Sequence, residues 1–356
     1  MSFRIREIKG LLTLRISLKL TSLLFILAAV GFFSIFIGPV KLPIRSVLDI
    51  FQYQFLGTHP AKGSSLFLDY TIVYYVREPQ ILAAITVGAS LGIGGAVVQS
   101  IFRNPITEPY IIGISSGAAL GAVMAIGYNI FIFGFYTVQI LAFLSSLTVV
   151  SLIYFMSVRR SRVPITYFLL IGISVSLLIS AVVAYVMITN TRLAGESEIL
   201  SWLMGSLQAI GWKELIPVSG IIAVTSLINL SMSRELDAIQ MGEDHASSVG
   251  VRVELVKRVG IISTTLGVSA AVSISGLIGF VGLIMPHVAR LIFGGSNKLV
   301  LPASAILGAI FLLLADDVSR VIISQQVVPV GIITSFVGVP VFMVLLRRLA
   351  FGYYEN

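Results

Sequence analysis

The sequence predicts an all-α polytopic membrane protein, and three observations predict it. Only 11% of the 356 residues are charged, whereas soluble domains carry about 25%. Hydrophobic residues make up 57% of the chain, and the mean hydropathy is +1.01. Apolar runs long enough to cross a hydrocarbon layer, about 20 residues each, recur along the chain. Water cannot be the main solvent for such a composition.

Ten helical spans are expected, at roughly 18–38, 80–101, 109–127, 132–157, 165–189, 211–232, 255–273, 277–294, 299–321 and 331–349. The basic stretch MSFRIREIKGLLTLRISLKL precedes the first. The run after it, Leu20 to Ile37, is longer than a signal-peptide core, and its small residues Ala28 and Ala29 lie inside it, so an uncleaved first span is expected. Residues 39–79 form the longest loop, with room for short helices. The seventh and eighth spans share one run from Leu255 to Gly294, with Arg290 as its charged break. Ser273, Ser275, Gly276 and Gly279 offer a turn there. No internal repeat or low-complexity linker stands out, and the whole of 1–356 reads as a single domain.

Charge sets the orientation. With the N-terminus inside, 17 of the 24 Lys and Arg residues fall on the inner side and 7 on the outer: Lys41, Arg45, Lys62, Arg77, Arg192, Lys213 and Arg320. The positive-inside rule then places both termini in the cytoplasm. The net charge of +8 is spread over short loops, which suits membrane topology rather than nucleic acid. Gly88 and Gly92 form one GxxxG, and Gly113, Gly117 and Gly121 form two in tandem. This spacing lets helix backbones approach closely in lipid.

Several chemistries are excluded or disfavoured. The chain has no cysteine, so disulfides and thiolate metal sites are ruled out. His59, His245 and His287 lie far apart, and no HExxH pattern occurs. Residues 113–117, GISSG, match GxSxG literally, but a nucleophile elbow needs a strand, a turn and His/Asp partners. An intramembrane hydrolase at Ser115 is therefore a distant reading. No Gly-Lys pair exists, so no P-loop can bind ATP. Ion-coupled transporters carry ionisable groups at mid-membrane, and the spans offer none there. An ion-coupled secondary transporter is the alternative, but an energy-supplying partner protein is the leading expectation.

One segment, RELDAIQMGEDHASSVG (residues 234–250), is a polar island in this apolar chain. Charge bias puts it in the cytoplasm between spans six and seven. Gly242 divides it into two short helical stretches, which would present carboxylates, a His and small residues to another protein.

Five stretches together carry a resemblance: QSIFRNPITEPYIIGISSGAALG (99–121), SWLMGS (201–206), GEDHASSVG (242–250), GLIGFVGLIMPHVAR (276–290), and LADDVSR (314–320) with PVGIIT (329–334). The chain after about residue 70 resembles the FecCD/BtuC family, the permeases of type II ABC importers for iron–siderophores, haem, vitamin B12 and similar chelates. The resemblance implies a BtuC-like permease fold with ten helices, in a prokaryotic cell membrane. It implies a homodimer with a central pathway, two ATPase subunits below that hold ATP and Mg, and an extracytoplasmic binding protein above. The chain itself would be no enzyme and hold no cofactor.

The resemblance also implies residue roles. Gly242, Glu243, Asp244, His245, Ala246, Ser247 and Gly250 would form coupling helices for the ATPase. Arg77 and Arg320 would dock the binding protein, although the family's second arginine near Arg77 is here Gln80, with acidic Glu78 between. Asn104, Ile106 and Thr166 match inner-gate positions. Span five would line the pathway with Ser174, Ser176, Ser180 and Tyr185. Pro286 frees one carbonyl in span eight.

Overall fold

The computed structural model describes residues 2–160, 162–190, 197–323 and 328–354. Arg192, counted above on the outer side, lies outside them. Fifteen α-helices are described: α1 Ser2–Ser34, α2 Ile44–Phe55, α3 Ser65–Ile72, α4 Glu78–Phe102, α5 Ile114–Gly127, α6 Thr137–Ser157, α7 Ile165–Thr189, α8 Ser197–Leu203, α9 Trp212–Ser231, α10 Ser233–Gln240, α11 Glu243–Ser248, α12 Val253–Ser275, α13 Val281–Phe293, α14 Asn297–Val321 and α15 Val330–Tyr354. Among the described residues, strand pairing is confined to one bridge between Arg159 and Arg162. Each of the ten expected spans overlaps a helix. Seven helices are long and apolar enough to cross a membrane, and three apolar ones are shorter: Leu18–Ser34, Ile114–Gly127 and Val281–Phe293.

α4 lies at the centre, buried along most of its length, and packs against α14, α12, α13 and α9. Glycine makes this possible. A Cβ on Gly88 would collide with the Gly308 carbonyl, one on Gly92 with the Ser304 carbonyl, and one on Gly95 with Gly282. Gly117 and Gly121 likewise meet the α6 backbone at Ser146 and Leu141. The small-residue pattern read from the sequence is thus used for backbone contact, where dispersion must hold helices together without a hydrophobic drive.

Contacts between connections group them at two ends of the bundle. At one end Lys19 bonds the Ile292 carbonyl, Gln240 bonds Ser100, and Arg258 bonds Tyr154. At the other, Arg320 bonds the Ser34 carbonyl and Trp212 bonds the Tyr74 carbonyl. The two ends are called inner and outer after the sides that the charge bias assigns.

Two spans begin with a segment that is not α-helical. α5 begins at Ile114 rather than near residue 109, after an extended stretch and a single 3-10 turn at Pro109–Ile112. The expected turn between spans seven and eight is instead a non-helical segment, 276–280, before the 13-residue α13. Pro109 packs on Gly94 and Gly282. Gly95 lies seven residues before the inner end of α4, so these unwound segments sit roughly 10 Å inside the bundle.

Candidate functional site

Unwound backbone inside a membrane protein survives only where protein satisfies its polar groups. Here the two broken spans satisfy each other. The Tyr110 hydroxyl donates to the Ile278 carbonyl at 3.0 Å and accepts from the Ile278 N–H at 3.2 Å. The Glu108 carboxylate accepts the Phe280 N–H at 3.0 Å. Phe280 has φ +69°, a left-handed conformation that bulky residues rarely adopt, and its ring packs on Gly338 of α15. Gly276 faces the Trp202 carbonyl, Gly205 the Leu277 carbonyl, and Gly331 the Met204 carbonyl, all too closely for a side chain. Ser206 N–H donates to the Ser275 carbonyl at 2.8 Å. Four of the five sequence stretches therefore meet at one junction. Beside it runs a largely apolar groove of about 570 Å³, lined by residues that include Leu277, Gly331, Ser335, Phe336 and Pro340.

Glu108 is an ionisable group that the sequence reading did not place within the bundle. Its position before Pro109 looked like part of a loop. Only the re-entry of that loop carries it inward. Gln99 is a second residue whose role was not legible. Pro286 lacks an N–H and leaves the Gly282 carbonyl free; the Gln99 amide donates to that carbonyl at 3.3 Å and to the Leu283 carbonyl at 3.2 Å. The Gln99 oxygen accepts from Arg290.

On α7, Ser174, Ser180 and Tyr185 are exposed, and Ser174 and Ser180 bond back to the Leu170 and Ser176 carbonyls at 2.8 Å. Ser176 is half-buried on the same helix. It accepts a bond from Ser116 of α5 at 3.1 Å, because its position on the helix turns it towards that neighbour. Thr166 is exposed at the inner start of α7. Asn104 accepts the Ile106 N–H at 3.1 Å, making the turn that carries the chain into Pro105. Ile106 is exposed and edges a narrow crevice with His287 of α13 and Leu345 of α15.

Arg77 and Arg320 do not face outward. They are 4% and 5% exposed. Arg320 pairs with Asp316, bonding it through Nε at 2.8 Å, and lies 3.4 Å from Asp317. Asp317 also accepts from Ser34, and Gln80 donates to Asp316 at 3.0 Å. Arg77 donates to the Ile35 and Val40 carbonyls. Both arginines therefore bind α1 and its following loop to α4 and α14, and a surface docking role for them does not fit this geometry. Satisfying buried carboxylates and helix-end carbonyls outweighs exposure here. Gln80 and Glu78, the departures from the family pattern, are engaged as well, Glu78 with Gln54 at 2.7 Å. Among the described residues, the exposed outer cations are Lys41, Arg45, Lys62 and Lys213.

The polar island folds as the sequence reading expects, into α10 and α11 with Gly242 between them at φ +129° and Gly250 after them at φ +87°. Leu236, Ile239 and Ala246 are buried under the pair, whereas Asp244, His245, Ser247 and Gly250 are exposed. The pair is bolted down. Asp237 accepts the Asn297 N–H at 2.6 Å and the Ser296 hydroxyl at 2.9 Å, capping α14. Glu243 lies 2.7 Å from Lys257 of α12. Ser115 sits in the first turn of α5, with Gly113 and Gly117 spent on packing against α6. That is no strand–turn–helix elbow.

Comparison with known proteins agrees with this architecture. The model of the FecCD transport family matches residues 26–348. The cobalamin import system permease protein of Halobacterium salinarum is 39% identical over 277 residues, 78% of this chain and 73% of that protein. The molybdate import system permease protein of Haemophilus influenzae is 35% identical over 344 residues, 95% of this chain and 97% of the relative. A solved structure described as an inward-facing conformation of a putative metal-chelate type ABC transporter superposes with a TM-score of 0.80 at 31% identity, covering 92% of this chain and 98% of that one. The chain belongs to the FecCD transport family, as a plasma-membrane permease of the ABC transporter type.

Proposed function

We propose that two copies of this chain enclose the translocation pathway of an importer for a metal chelate of the iron–siderophore, haem or cobalamin kind. Two ABC ATPase subunits, holding ATP and Mg, dock beneath α10 and α11. An extracytoplasmic binding protein delivers the substrate to the outer face. The observation that carries this reading is the α10–α11 pair. Its apolar side is buried in the bundle, and its polar side, with Asp244, His245 and Ser247, is presented at the inner end. A partner that closes on ATP can push on such a rigid pair, whereas a floppy loop would dissipate the movement. Asn104, Ile106 and Thr166 stand at the inner mouth as its gate, and the exposed face of α7 with Ser174, Ser180 and Tyr185 forms a weakly polar wall. Lys41, Arg45, Lys62 and Lys213 supply the outer charges that would steer an acidic partner.

Glu108 gives the secondary-transporter reading a half-buried carboxylate within the bundle. One experiment separates the two. Proteoliposomes carry the permease with its genomically neighbouring ATPase and binding protein, and uptake of cobalamin, hemin and a ferric hydroxamate is followed. Uptake of one of these that requires ATP and survives collapse of ion gradients is expected. Equal uptake without ATPase subunits sinks the importer reading.

A further inference from the structure

This inference rests on the importer reading and concerns how motion at α11 reaches the pathway helix α7. Lys257 lies in the second turn of α12, and its side chain is 3% exposed. Its ammonium is 2.7 Å from Glu243 of α11, 3.2 Å from Glu254 of its own helix and 3.5 Å from the Val163 carbonyl. An ammonium has three N–H donors, and these three acceptors use all of them. The other Glu254 oxygen accepts the Val163 N–H at 2.9 Å. Val163 is itself buried. Pro164 follows as the N-cap of α7, and its fixed φ stiffens the join. One cation thus ties the partner-facing helix, the second turn of α12 and the inner start of α7. A buried charge stripped of its partner is strongly disfavoured, so the three pieces move together or the junction breaks as a whole.

We propose that Lys257 is a positioning residue that makes α11 and the inner end of α7 one mechanical unit, so that displacement of α11 by the ATPase moves Thr166 and the gate. The test uses the assembled complex with its ATPase subunits. The chain has no cysteine, so spin labels at Ser248→Cys, Tyr167→Cys and Lys62→Cys are unique on it; all three positions are exposed. Pairwise distances are measured with and without ATP plus vanadate. In the otherwise native chain, 248 and 167 should both shift relative to 62 while keeping their mutual separation. In Lys257→Met the shift at 167 should be lost while that at 248 persists, and Lys257→Arg should restore it. Glu254→Gln, which removes charge while keeping size, should weaken the shift at 167 even if Lys257→Met fails to fold. A native 248–167 separation that changes with nucleotide, or a full shift at 167 in Lys257→Met or Glu254→Gln, overturns the inference alone. If 248 does not respond to nucleotide in the native complex, the importer reading falls and takes this inference with it.

Discussion

Arg320 illustrates how a single side chain is decided by its surroundings. Its place at the end of an apolar run fits a surface arginine reaching for water. Instead two buried carboxylates, Asp316 and Asp317, and the carbonyls of Ser34 and Ile37 surround it. Replacing it with Met leaves both acids unpaired, and removing one partner of a buried pair costs about 3–5 kcal/mol. Arg320→Met should therefore lower the unfolding temperature of the purified permease in a thermal melt. Lys62→Glu, at the exposed outer surface, should leave that temperature unchanged and weaken binding-protein association in a salt-sensitive way, read by surface plasmon resonance. If Arg320→Met melts like the native chain and only binding suffers, the outer arginine is a docking contact after all.

At the scale of elements, the two broken spans set the terms. Tyr110→Phe removes the donor and the acceptor that satisfy Ile278, and a buried polar group left unpaired costs about 1–3 kcal/mol. That variant should lose thermal stability, whereas Glu108→Gln, which still accepts the Phe280 N–H, should lose little; amide hydrogen exchange at 276–280 measures both. The glycine contacts predict a steeper response. Gly92→Val drives a side chain into the Ser304 carbonyl, and overpacking of this kind costs about 1–3 kcal/mol even where the neighbour is a movable side chain. Here the neighbour is backbone, so the yield of folded protein in detergent should fall sharply. Gly220, with nothing within 4 Å of a Cβ, provides the control: Gly220→Ala should be neutral.

Across the whole molecule, large apolar side chains stay uncovered on α7 and α15. Leu177, Leu178 and Ile188 are more than 65% exposed, as is Phe336. Lipid satisfies some of these faces, and a second copy covers others in the proposed dimer. Phe336→Glu should shift the permease from dimer to monomer in light scattering of detergent-solubilised protein. A dimer that persists unchanged with a charge at that position argues that α15 lies away from the subunit interface.

The ten apolar segments, the inward charge bias and the polar island were all legible in the chain, because hydropathy and charge act locally and need no partner to be read. The tandem small residues announced close packing for the same reason, although not against which helix. The depth of Glu108, the inward turn of Arg77 and Arg320, the bond between Ser116 and Ser176 and the Lys257 junction were not legible. Each depends on at least one residue between 37 and 286 positions away, brought near by the packing of the helices. A residue's type tells what bonds it needs; only the folded bundle, by leaving no water to supply them, decides which distant groups must.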